Sequence, residues 1–233
     1  MFFDPLYLVL VVPFIIISMI AQYKVKSTYA KYSKVRNTRG LTGAQAAQAI
    51  LSYYGITDVA IQMIGGTLTD NYNPKTNVIS LSQDVYNSTS VAAVGVACHE
   101  AGHAAQYAEN YAPIKLRNAI IPICNFGSSL SIPIILIGAF LAARVAQGFS
   151  VLITIGILLY ATVFIFQLIT LPVEFNASRR AIKVISETNL LYDEEVSGAK
   201  KVLGAAAMTY VAAMLVSLAN LLRIIIRFSG RRN

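Results

Sequence analysis

The sequence predicts a mainly α integral membrane protein of about four transmembrane helices, with a cytoplasmic helical domain and a small β-sheet between the first span and the second. Three observations carry that expectation. Of the 233 residues, 56% are hydrophobic and only 13% charged, with a mean hydropathy of +0.59, whereas a soluble domain carries roughly 25% charged residues. The runs Pro5 to Tyr23, Asn118 to Ala143, Val145 to Val173 and Val202 to Leu222 contain no Asp, Glu, Lys or Arg, and each reaches the ~18 residues that mark a candidate span. Between the first two runs lie Gly-Gly, Asn-Pro and β-branched pieces, the vocabulary of turns and short strands.

Taken in order, residues 1–23 read as a retained transmembrane anchor. No positive charge precedes the run and Asp4 opens it, unlike a cleaved signal peptide. Lys24, Lys26, Lys31, Lys34, Arg36 and Arg39 follow with no acidic residue among them. The positive-inside rule then puts Tyr23 onward in the cytoplasm and the N-terminus outside, a multi-pass arrangement in the cell (inner) membrane. The net charge of +8 is thereby a membrane signal, and the bilayer rather than nucleic acid is the expected partner. Residues 24–40 read as a solvated basic helix held against anionic headgroups.

Residues 24–118 form the cytoplasmic region. Thr42 and Gln45 have capping-box spacing, the alanines that follow favour a helix, and Gly55 is placed to stop it. Val59 to Ile64 and Val78 to Ser82 read as strands, Thr67 to Thr69 as a further short piece, and Asp70 to Asn77 as a loop. Next comes a small-residue-rich helix from about Ser88–Ser90 to about Asn110, capped by a hydroxyl. Residues 119–173 form a transmembrane hairpin, 174–201 a helix returning to the cytoplasmic face, and 202–233 a C-terminal transmembrane or re-entrant helix. Arg223, Arg227, Arg231 and Arg232 follow the last run, and counting crossings puts them outside, against the positive-inside bias.

The chemistry is concentrated in His99-Glu100-Ala101-Gly102-His103, an instance of HExxH. Histidines at i and i+4 stack on one helix face, where two neutral imidazoles converge on a zinc ion, and the glutamate beside the first can take a proton from a metal-activated water. The chain has only two histidines, and both are here. A catalytic zinc usually has a third protein ligand, which must then be a cysteine or one of Asp4, Asp58, Asp70, Asp84, Glu109, Glu174, Glu187, Asp193, Glu194 and Glu195. Glu109 sits where another zinc-protease class has its third histidine, but Gln106 replaces the glycine that class uses to break the helix. Glu174 is the stronger candidate, because a two-span hairpin returns it to the membrane face that His103 left. Cys98 and Cys124, in apolar surroundings, read as buried packing rather than a disulfide.

HEAGH followed after a membrane hairpin by Glu-Phe-x-Ala resembles the membrane-embedded gluzincins of the HtpX and CAAX-prenyl protease type. The likeness is closer to the bacterial YugP-type neutral zinc metallopeptidases, whose pattern includes Gly-Thr-Leu-Thr-Asp, here Gly66 to Asp70, and Glu-Phe-Asn-Ala-Ser-Arg-Arg-Ala, here Glu174 to Ala181. The resemblance implies a zincin-like domain and a zinc-dependent endopeptidase holding one catalytic Zn2+ through His99, His103 and Glu174, with Glu100 as general base. HtpX-like enzymes carry an aspartate four residues after the ligand glutamate. This chain has Ser178 there, a hydroxyl that can bond a zinc histidine without adding charge. Tyr192, Tyr210, Arg179 and Arg180 are the candidates for stabilising the oxyanion. The expected substrate is a membrane or membrane-proximal polypeptide, cut on the cytoplasmic side. The alternative is a non-catalytic zinc-binding scaffold or assembly partner with Cys98 as a fourth ligand. A homo-oligomer or a membrane-protein partner stays open.

Overall fold

The structure, a computed structural model, describes residues 4–229. The chain is a mainly α membrane protein with a small mixed sheet, and it divides into two compact units. Unit 1 comprises Met1–Ile20, Leu116–Leu171 and Tyr210–Asn233; unit 2 comprises Ala21–Lys115 and Pro172–Thr209. Arg231 and Arg232 lie outside the described residues.

In unit 1 the apolar runs form helices long and apolar enough to cross a membrane. A π-helical stretch, Tyr7–Val11, leads into α1 (Val12–Tyr32). The predicted hairpin is α5 (Ala112–Arg144) and α6 (Ser150–Glu187), joined by a tight turn. Glycines let these two helices touch: a Cβ at Gly156 would lie 2.9 Å from the Ser131 carbonyl oxygen, and one at Gly127 would lie 2.7 Å from that of Leu159. Small residues at a helix contact are how spans pack where no hydrophobic driving force separates helix from lipid. The last run belongs to α7 (Asp193–Ser229). Near its end Arg223 and Arg227 both pair with Asp4, at 3.1 and 2.9 Å, and the Arg223 guanidinium lies over the Tyr7 ring.

In unit 2 the predicted helix from Thr42 is α2 (Gly43–Tyr53), and its capping box is formed: Gln45 N–H donates to Thr42 Oγ1, and Thr42 N–H to Gln45 Oε1. The chain leaves α2 through Gly55 at φ +67°, a left-handed turn open to glycine at little cost. The sheet has the order β1-β3-β2, with β1 (Ala60–Ile64) parallel to β3 (Val78–Ser82) and β2 (Asn71–Asn73) antiparallel to it. β2 corrects the expectation of an unbroken loop over 70–77, and Thr67 to Thr69 form no strand. Loop-forming residues become an edge strand because Asp70 receives both the N–H and the hydroxyl of Ser82, pinning β2 to the end of β3.

A short helix, α3 (Gln83–Tyr86), leads to the motif helix α4 (Val91–Ala108), capped by Ser90 Oγ, which accepts from Ala93 N–H. The buried face of α2, Ala46, Ala47, Ile50 and Leu51, shares one core with Ala93, Val94, Ala97, Cys98 and Ala101 of α4 and with Ala181, Val184 and Ile185 of α6.

Two further expectations are corrected. Residues 24–40 are not one solvated helix. α1 ends at Tyr32, and buried Asn37 holds the following turn by bonding Leu41 and the Thr89 carbonyl. Residues 174–201 are not one helix either. α6 runs unbroken through Pro172 to Glu187, a turn with Asn189 at φ +50° follows, and α7 begins at Asp193. A proline inside a long membrane helix removes one backbone bond without ending it where neighbouring groups compensate.

Candidate metal centre

Every part of the site belongs to unit 2. α4 stacks His99 above His103, with ring centroids 4.8 Å apart and planes at 80°. α6 presents Glu174, buried, with its Oε2 3.3 Å from His99 Nε2 and 3.6 Å from His103 Nε2. The three ligand atoms lie within 4.8 Å of one another. A tetrahedral zinc with bonds of about 2.0–2.1 Å places neighbouring ligand atoms about 3.3 Å apart. Glu174 Oε2 stands close to that edge length from each imidazole Nε2, so two imidazoles and a carboxylate fit zinc in chemistry and, at the carboxylate, in dimension.

The two helices meet this closely because of one residue inside the motif. A Cβ on Gly102 would lie 2.6 Å from the backbone oxygen of Ala177, three residues beyond Glu174.

Glu100 is buried on the same helix. Burial, with repulsion from Glu174 and Asp70, pushes its carboxyl up to about 7, against the opposing pull of His99 and a hydrogen bond from the Tyr72 amide. Sequence reasoning missed that β2 packs against α4, the helix that carries the general-base candidate. Asp70, the last residue of the Gly66–Asp70 motif, serves this packing indirectly by fixing where β2 starts.

Ser178 Oγ lies 3.0 Å from His99 Nδ1. His103 Nδ1 has a partner not anticipated, the fully buried Gln106, whose Oε1 is 3.0 Å away. Its position at i+3 from His103 was the available signal. We expect Ser178→Ala to keep the fold and lower zinc affinity roughly tenfold, the low end for losing a partner of a ligand imidazole; unchanged affinity in a chelator competition would show that this hydroxyl does not support His99.

The remaining candidates fall elsewhere. Cys98 is fully buried and free, with its thiol pushed up by burial, and it is not in the metal-ligand cluster found among the described residues. Glu109, just past the end of α4, pairs with Arg180. Arg180 also donates from Nε to Asn176 Oδ1 at 2.7 Å. Arg179 is exposed, Tyr192 is half exposed beside the start of α7, and Tyr210 belongs to unit 1.

Residues 7–229 match the family described as "putative neutral zinc metallopeptidase". The chain belongs to this family. It is also 46% identical over 217 residues to the "Putative membrane protease YugP" of Bacillus subtilis (strain 168), covering 93% of this chain and 94% of that protein. No solved structure matches it. Family membership and the apolar helices make the chain a membrane-associated member of the zinc metallopeptidases. The residues of the family match include every member of the His99, His103, Glu174 cluster.

Proposed function

We propose that the protein is a membrane-embedded, gluzincin-type zinc endopeptidase that hydrolyses peptide bonds of membrane or membrane-proximal proteins. The observation carrying this reading is the convergence of His99, His103 and Glu174, with the carboxylate 3.3 and 3.6 Å from the two imidazoles, beside buried Glu100. One zinc ion held by that trio supplies a Lewis acid that polarises a carbonyl and brings a water's pKa to about 7. Glu100 takes the proton from the attacking water and returns it to the leaving amine. Burial of Glu100 keeps bulk water from competing for the proton. An extended substrate adding to the β2 edge runs past Glu100, main chain to main chain.

The orientation we propose has the N-terminus outside and the centre on the cytoplasmic side. The basic cluster from Lys24 to Arg39 supports it. The arginines after the last span, which oppose it by simple counting, are offset by Asp4, so a carboxylate at one chain end partly neutralises the cations near the other. A reporter fused at the N-terminus should be active only on the outer face; its activity in the cytoplasm would sink this orientation.

The function is tested with Glu100→Gln. We expect that variant to keep its fold and bound zinc while hydrolysis falls roughly 10²–10⁴-fold, the usual worth of a positioned general base. Membrane-protein fragments present in cells carrying the wild type should disappear in cells carrying the variant. Undiminished cleavage would refute the role of Glu100.

A further inference from the structure

We propose that Gln106 is a positioning residue that holds the proton of His103 on Nδ1, and that Arg180 sets the direction of Gln106 through Asn176. The inference rests on the zinc reading of the His99, His103, Glu174 trio and adds how one ligand is prepared for the metal.

The argument follows hydrogen-bond polarity from two groups that cannot reverse. A guanidinium only donates. Arg180 Nε donates to Asn176 Oδ1 at 2.7 Å, and the same guanidinium is anchored by Glu109. The Asn176 oxygen must therefore face this point, and it accepts a second bond from Gln106 Nε2 at 2.9 Å. The second fixed group is the Val173 carbonyl, which only accepts, and it takes the other Gln106 N–H at 2.8 Å. With both amide hydrogens committed, the end of Gln106 facing His103 Nδ1 at 3.0 Å is the oxygen. Turning the amide over would set oxygen against two acceptors at once. His103 Nδ1 must then be the donor, and its Nε2 is left with a lone pair directed at Glu174 and the metal position.

His99 is held differently. Its Nδ1 partner is the Ser178 hydroxyl, which can donate or accept, so that contact does not select a tautomer. One imidazole is set in advance by a one-directional chain from Glu109 through Arg180, Asn176 and Gln106, and the other adapts. The setting opposes a competitor. Glu174 Oε2, 3.6 Å from His103 Nε2, would draw the proton to Nε2 if Gln106 did not hold it on Nδ1. A metal-free imidazole protonated on Nε2 would have to shed or move that proton before binding zinc.

The test uses the full-length protein in detergent micelles with 15N-labelled histidine, metal-free, at mildly alkaline pH. The chain has two histidines, and a His99→Asn background leaves one. Two-bond 15N–1H spectra should show His103 Nδ1 as a protonated nitrogen. In Gln106→Leu it should become unprotonated, with the proton moving to Nε2; in Arg180→Met the Val173 carbonyl still holds one Gln106 amide hydrogen, so the shift should be partial. Zinc affinity by chelator competition should fall roughly 10–100-fold in Gln106→Leu. Should Gln106→Leu not fold, Gln106→Met, which keeps the length of the side chain and removes the acceptor, carries the test. An unprotonated His103 Nδ1 in the parent, or spectra unmoved by these substitutions, would overturn the proposal. The two readings fail separately: a wild-type chain, with both histidines, that binds no zinc while the His99→Asn background shows the proton shift removes the metal reading alone, while tight zinc binding by the wild-type chain without the shift removes the relay alone.

Discussion

Glu174→Gln is expected to abolish zinc-dependent stabilisation and to lower the stability of the metal-free protein as well. Glu174 supplies the charge of the trio, and its Oε2 sits within 3.6 Å of both imidazole Nε2 atoms. Glutamine keeps the shape and removes the charge, so the ligand set falls from one negative charge to none. At zinc a thousandfold above its Kd, binding to the folded state alone stabilises by about 4 kcal/mol, worth roughly 10 °C in Tm for a chain of this size. That shift should collapse in the variant, and peptide hydrolysis with it. Without metal, against the cost of burial, the imidazoles hold the Glu174 carboxyl below the usual carboxylate range, so removing its charge should lower the stability of the metal-free protein too. Thermal unfolding of both proteins in detergent, with and without zinc, reads the two effects together, and an undiminished zinc shift in the variant would exclude Glu174 as a ligand.

Much of this centre was legible in the chain because its determinants are local. The i, i+4 histidines, the capping serine before α4 and the capping box of α2 each involve residues within one or two turns of one another. Glu174 needed one further step, the count of two spans that returns the chain to its starting face. What could not be read depends on contacts between distant segments. β2 is strand only because Asp70 is tied to Ser82 across the loop, and nothing in Asn71-Tyr72-Asn73 alone announces it. Gln106 was visible chiefly as a residue that is not glycine. Its meaning comes from Val173 and Asn176 on α6, which sequence spacing does not bring to it. Arg180 read as a candidate for stabilising the oxyanion until its partners, Asn176 and Glu109, were known. α6 runs on through Pro172, because in a long membrane helix neighbouring groups satisfy the backbone carbonyl that proline frees.

Gly102→Ala should damage the centre more than its single methyl suggests. The added Cβ would stand 2.6 Å from the Ala177 oxygen and 3.2 Å from its carbonyl carbon, whereas weak C–H···O contacts settle at about 3.3–3.6 Å. The obstacle is the backbone of a helix, so relief requires α6 to move as a rod, carrying Glu174 and Ser178 away from the imidazoles by roughly 0.7 Å or more. Overpacking of this kind costs about 1–3 kcal/mol, and a misplacement approaching 1 Å can cost about 10²-fold in rate. Gly95→Ala on the same helix is the matched control. There the new Cβ would meet the Ala199 Cβ at 3.5 Å, an ordinary contact, and alanine's helix propensity favours the change by up to about 1 kcal/mol. The two substitutions, identical in chemistry and seven residues apart, are thus expected to differ in sign. Gly95→Ala should hold or raise Tm with zinc affinity intact, while Gly102→Ala lowers both. Equal behaviour of the pair would mean that the close approach of α4 and α6 does not set the ligand geometry.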